Sequence, residues 1–204
     1  KLTNVAKKES RAVFKTLNLD LRQFGQMSMF IHAESVIGQR NLNTGDFQAV
    51  IRLGQDFLNN YYEIRIPLKA TDFGETLTDN IWPAENNLEI ALNELVQLKL
   101  RRNISGGSIS TIYREQLGTQ TISVLGNPNL AEVQGFLVGV ENASNETLST
   151  EVWVNELRLS KIDENGGYAA LGRADIQLAD LGTLSVSANT YSQGFGTIEQ
   201  RANE

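Results

Sequence analysis

Catalysis near neutral pH usually draws on an imidazole, a thiol, or two carboxylates whose proton affinities have been driven apart. The 204-residue chain has no cysteine and a single histidine, His32. Disulfides, thiolate metal sites, a cysteine nucleophile and a metal site built on two imidazoles are therefore excluded. His32 falls on the outward phase of its strand and reads as a surface histidine. Glycoside hydrolysis needs two carboxylates flanking a cleft. Glu63, Glu156 and Asp56 are the residues that would be recruited, but nothing in their spacing ties them to one another. Asn155 and Glu156, in the middle of "EVWVNELRLS" (151–160), read as local hydrogen-bonding residues and not as a catalytic pair. The expectation is that the chain is not an enzyme.

Binding chemistry leaves more to weigh. Exposed aromatic rings can stack on sugar faces or on partner side chains, and Tyr61, Trp82 and Tyr113 are the candidate ligand or partner contacts. Trp153 alternates in phase with Leu157 and Leu159, which predicts that it faces the core. Trp82 precedes Pro83 and has the look of a loop anchor. The glycines in "NISGGSIS" and "ENGGYAALG" lack the strand–glycine–helix order of a phosphate cradle. "KIDENGG" has a calcium-like composition without the spacing of a calcium loop, so no cofactor is expected. Sequons stand at Asn103, Asn142 and Asn145, and matter only in a glycosylating pathway. The net charge of −6 argues against nucleic acid or an anionic membrane surface as a partner.

The elements that must carry these residues are mostly strands. In "MSMFIHAES", Met27, Met29, Ile31 and Ala33 share one face. In "DFQAVIRLG" it is Phe47, Ala49, Ile51 and Leu53, and in "YYEIRIPLK" it is Tyr62, Ile64, Ile66 and Leu68, with Tyr61, Glu63 and Arg65 opposite. A period of two is the mark of strands buried on one face. Pro67 cannot donate to a ladder and belongs at a strand end or an edge. One segment departs from this rhythm. Leu88, Ala91, Leu92, Leu95 and Leu98 recur at helical spacing and predict a short amphipathic helix, whose last part, "LVQLKL", fits a strand equally well. Strand patterns return in "STIYRE", "TISVLG" and "AEVQGFLVGVEN", with the turn residues of "GNPNL" between the last two.

About eight strands and one helix suit an antiparallel β-sandwich of jelly-roll or galactose-binding-like type. The expected organisation is a preceding segment or linker over 1–13, the sandwich over 14–162, and a linker plus β-hairpin over 163–204. In the hairpin, Ala174, Ile176 and Leu178 oppose Arg173, Asp175 and Gln177, and Leu184, Val186 and Ala188 oppose Ser185, Ser187 and Asn189. Such alternation fits a membrane barrel strand pair or a soluble hairpin equally well. The chain reads as a piece of something longer.

Several stretches carry a resemblance. "LDLRQFGQMSMFIHAES", "IWPAENNLEIAL", "GNPNLAEVQGFLVGVEN" and "VWVNELRLSKIDENGGYAALGRADIQLADLGTLSVSANTYSQGFGTIEQ" closely resemble the SprA/Sov family. These are outer-membrane translocons of the type IX secretion system in Bacteroidetes. The match runs from about Leu17 to the end and is densest after Glu151. It implies protein export, in some members gliding motility, and a location at the outer membrane or cell surface of a Gram-negative bacterium. Implied partners are exported proteins with C-terminal secretion signal domains, a PorV-type lateral-gate subunit and a plug-type subunit. The resemblance favours the membrane reading of the hairpin and a structural role for the sandwich, shaping or capping a pore. The sandwich also resembles carbohydrate-binding modules in its early and late strands, and a glycan-binding module of a bacterial surface protein is the alternative.

Overall fold

The computed structural model describes residues 1–162, 169–178 and 182–191. The chain divides into two compact units, Lys1–Ile162 and Asp163–Glu204. The first contains β1 (Leu2–Val5), β2 (Ser10–Leu19), β3 (Phe24–Ser35), β4 (Phe47–Gly54), β5 (Tyr61–Pro67), the one-turn helix α1 (Thr78–Ile81), β6 (Leu88–Ala91), helix α2 (Leu92–Ile104), β7 (Tyr113–Leu117), β8 (Gln120–Leu125), β9 (Val133–Asn142) and β10 (Leu148–Ile162). The second contains β11 (Ala169–Leu178) and β12 (Gly182–Tyr191). Residues 2–5 and 10–13, expected to precede the domain, thus form β1 and the start of β2.

The strands of the first unit make two antiparallel sheets, neither closed into a barrel. One has four strands in the order β1-β10-β3-β6, the other six in the order β2-β9-β4-β5-β8-β7. The alternation read from the sequence places the core correctly. Met27, Met29, Ile31 and Ala33 of β3 and Phe47, Ala49, Ile51 and Leu53 of β4 are buried in one cluster with Tyr62, Ile64, Ile66, Ile122 and Val124. Burying a side chain of this size contributes about 1.5–3 kcal/mol, so this one cluster dominates the stability of the unit. Pro67 closes β5, where a missing amide donor costs least.

The helix begins later than its spacing suggested. Leu88 and Ile90 alternate with exposed Glu89 and Ala91 as β6, paired with Met29 and Met27 of β3. Only from Leu92 does the period change to that of a helix, burying Leu92, Leu95, Leu98 and Arg102. The row at 88, 92, 95 and 98 has helical spacing, but Leu88 and Ile90 also alternate as a strand, and pairing with β3 decides that stretch.

A second departure occurs in β10. Asn155 lies opposite Phe30 and Arg158 opposite Ser28, so three steps on β10 match two on β3. This is a β-bulge, with Glu156 at a φ of 55°. The inserted residue reverses the phase of the strand. Before it, Val152 and Val154 lie opposite Ala33 and Ile31; after it, Leu159 lies opposite Met27. Trp153 therefore does not face the core with Leu159, as simple alternation predicted. It is 58% exposed, Leu157 is also exposed, and only Leu159 packs against the core.

In the second unit β11 and β12 pair in unbroken antiparallel register from Ala169↔Tyr191 to Leu178↔Gly182. Asp163–Gly167 of the polar stretch read as a linker and weighed for calcium, and the short hairpin connection, lie outside the described residues.

Candidate functional site

The segment between β5 and β6 folds onto the outer face of the four-stranded sheet. It is pinned at both ends. Thr71 exchanges backbone hydrogen bonds with β3, its amide donating to the Ala33 carbonyl (2.8 Å) and its carbonyl accepting from Ser35 (3.1 Å). Asn86, wholly buried, accepts from the Lys69 amide at 2.7 Å and donates to the Lys69 carbonyl at 2.9 Å. Between these pins, α1 delivers the Ile81 carbonyl to His32, whose Nδ1 donates to it at 2.5 Å. Trp82 then lies 5.7 Å from the His32 ring and 6.4 Å, edge-on, from Phe30. His32 is consequently not a surface histidine but 6% exposed. Its Nε2 lies 3.5 Å from Glu34 Oε2. The reading missed this because strand phase identifies an outward face but not what covers it. The signal available was a stretch of some twenty residues without periodicity, which a compact domain rarely leaves unpacked.

The outer face of the six-stranded sheet carries a charge network. Arg52 donates to Glu63 Oε2 (2.6 Å) and Arg65 to Glu63 Oε1 (2.7 Å); Arg65 also reaches Glu141 (2.9 Å). Glu63 is 1% exposed. Burial pushes its carboxyl up, but the hydrogen bonds and charges of Arg65 and Arg52 outweigh that and hold it below the usual range. The Arg52 guanidinium also lies 4.4 Å above the Tyr61 ring. A carboxylate fixed between two guanidiniums is a poor proton shuttle near neutral pH, so this network reads as structural. Asp56 caps its own loop, accepting from the amides of Leu58, Asn59 and Asn60. Glu156 sits in the bulge of the other sheet, paired with exposed Arg158. The three carboxylates are not brought together, and among the described residues no cluster suited to a metal ion occurs.

The three aromatic candidates are likewise dispersed. Tyr61 is 3% exposed beneath Arg52, with burial raising its phenol above the ordinary value. Tyr113 is half-buried on the core side of β7, its hydroxyl donating to Glu115 at 2.8 Å. Trp82 alone stands on the four-stranded sheet, where it is joined by two aromatics that the reading did not select, Phe30 and Trp153.

The whole chain, residues 1–204, matches the SprA N-terminal family, described as a motility related/secretion protein. The chain belongs to this family. It is a family of motility and secretion proteins, not of enzymes. No curated protein matches the chain. Among the described residues no helix is long and apolar enough to cross a membrane, which says nothing of strands.

Proposed function

We propose that the chain is part of an outer-membrane translocon of the type IX secretion system, with the sandwich as its non-catalytic structural domain and β11–β12 as strands of its barrel wall. The observation that carries this reading is the register of the hairpin. Ala174 lies opposite Val186 and Ile176 opposite Leu184, while Arg173, Asp175 and Gln177 lie opposite Ser187, Ser185 and Thr183. From Gly172↔Ala188 to Leu178↔Gly182 adjacent pairs thus alternate between apolar and polar, while Leu171↔Asn189 and Ala170↔Thr190 are mixed, in strands of ten residues each. A barrel strand needs about 9–11 residues to cross the bilayer, with lipid on one face and a wet lumen on the other.

The topology of the sandwich supports a role as an insert. β1 and β10 are neighbours and antiparallel, with Leu2 opposite Thr150 and Val5 opposite Leu148, so the first and last strands of the unit lie side by side. Such a domain can be placed between two barrel strands. There it narrows or caps a wide pore and offers its surface to exported proteins with C-terminal signal domains or to subunits of the PorV and plug types. The role needs no cofactor. Deleting 14–160 from the whole protein tests it: impaired export or a leaky outer membrane is expected, and unchanged secretion with an unchanged permeability barrier would refute it.

A further inference from the structure

At the β6 edge of the four-stranded sheet a cavity of about 200 Å³ opens on the outer face, lined among others by Gln26, Ser28, Phe30, Asn87 and Glu89. The β-ladder fixes its layout. Ser28 lies across from Glu89 on one side and from Arg158 on the other, and Phe30 lies across from Asn155. Phe30 is 38% exposed and braced edge-on by Trp82. Gln26 donates to Glu89 Oε1 at 2.5 Å, which orients that carboxylate and leaves its second oxygen free. The Asn87 side-chain oxygen is buried with no hydrogen-bond partner, an arrangement that costs about 1–3 kcal/mol.

We propose that this cavity binds one uncharged pyranose unit of a glycan. A pyranose has an apolar C–H face and a rim of hydroxyls that both donate and accept. Phe30 supplies the apolar wall; Glu89 and Asn87 accept; Ser28 can donate or accept. The volume suits a single small ring and is below that of pockets for larger cofactors. Glu89 disfavours an anionic ligand, and a purely apolar side chain would leave the Asn87 oxygen unpaired. Turning that amide toward a sugar hydroxyl breaks no existing bond and satisfies a group now orphaned. The site is independent of the translocon reading, because it rests on the sandwich alone.

The test is binding of the 204-residue chain to an array of neutral and charged glycans, followed by titration calorimetry with each glycan retained. Saturable binding to at least one neutral glycan is expected, weakened about tenfold or more by either Phe30→Ala or Asn87→Ala. Asn87→Ala is the discriminating variant. It removes an unpaired acceptor and keeps the backbone carbonyl that accepts from Gln120, so it should leave the melting temperature unchanged or raise it. Binding to no neutral glycan, or binding indifferent to both substitutions, would overturn the proposal.

Discussion

Trp153 lies directly across the β10–β3 ladder from His32, on the sheet face turned away from the core, yet one is 58% exposed and the other 6%. The difference is made by the loop carrying α1 and Trp82, which covers His32 and stops short of its partner. Trp153→Ala should therefore change unfolding free energy by less than about 1 kcal/mol, whereas Ile31→Ala, one residue from His32 but inward, should cost about 2–5 kcal/mol. Urea denaturation of both variants checks this. A large loss from Trp153→Ala would return that ring to the core.

His32 should behave as the clasp of the covering loop. Its Nδ1 proton is held by the Ile81 carbonyl, and His32→Ala should cost about 1–3 kcal/mol by leaving that carbonyl unpaired. Limited proteolysis should then cut selectively within 72–82. Unaltered protease resistance would show that the loop is held by its two pins alone.

The bulge at Glu156 predicts an asymmetry between substitution and insertion. A non-glycine residue at positive φ is disfavoured by about 1 kcal/mol, and Glu156→Gly should recover part of that. Inserting one further residue after Glu156 should instead turn Leu159 outward and destabilise the unit. Thermal melts of the two variants should move in opposite directions.

Asp56 predicts a pH dependence. Partial burial raises its carboxyl, but amides of Asn59, Leu58 and Asn60 together with the Asn60 side chain bring it down to about 2, from an ordinary 3.8. A pKa lower in the folded state means the stabilisation is fully present above about pH 4 and is lost as pH falls toward 2. Asp56→Asn should remove about 1 kcal/mol at neutral pH, allowing for solvent around the loop, and less at pH 2. Urea midpoints for both proteins at pH 6 and pH 2.5 measure the narrowing gap.

Arg102 predicts a cost that its charge alone conceals. It is wholly buried in α2, donating to the Gly126 carbonyl and to Asn103 Oδ1. Arg102→Met keeps much of the volume and should cost about 1–3 kcal/mol for the unpaired carbonyl. Arg102→Ala adds a cavity and should cost more.

Much of the fold was legible because its strands alternate without interruption. Ile51, Leu53, Ile64 and Ile66 could be placed inward from period alone, and Pro67 marked its own strand end. What stayed hidden depends on one inserted residue or on contacts distant in sequence. Nothing about Glu156 announces a bulge, yet it decides which way Trp153 points. Nothing near His32 announces that a segment some fifty residues later will cover it. Leu88 fitted the helical row, and only its pairing with Met29 of β3 makes it part of a strand. The candidate site was correspondingly less legible than the core. Of Tyr61, Trp82 and Tyr113, two serve the packing of the six-stranded sheet, while Phe30, which alternates with inward Met29 and Ile31 on β3, was passed over.

The central claim, that β11–β12 is barrel wall, can be tested most directly by site-directed labelling of the whole protein in native outer membranes. Single cysteines would be introduced by Ile176→Cys, Leu184→Cys and Val186→Cys on the apolar face and by Asp175→Cys, Ser185→Cys and Ser187→Cys on the polar one. The account predicts that the first set is shielded from a membrane-impermeant maleimide and reports lipid contact when spin-labelled, and that the second set reacts with the maleimide. Equal reactivity of both sets with the water-soluble reagent would contradict it.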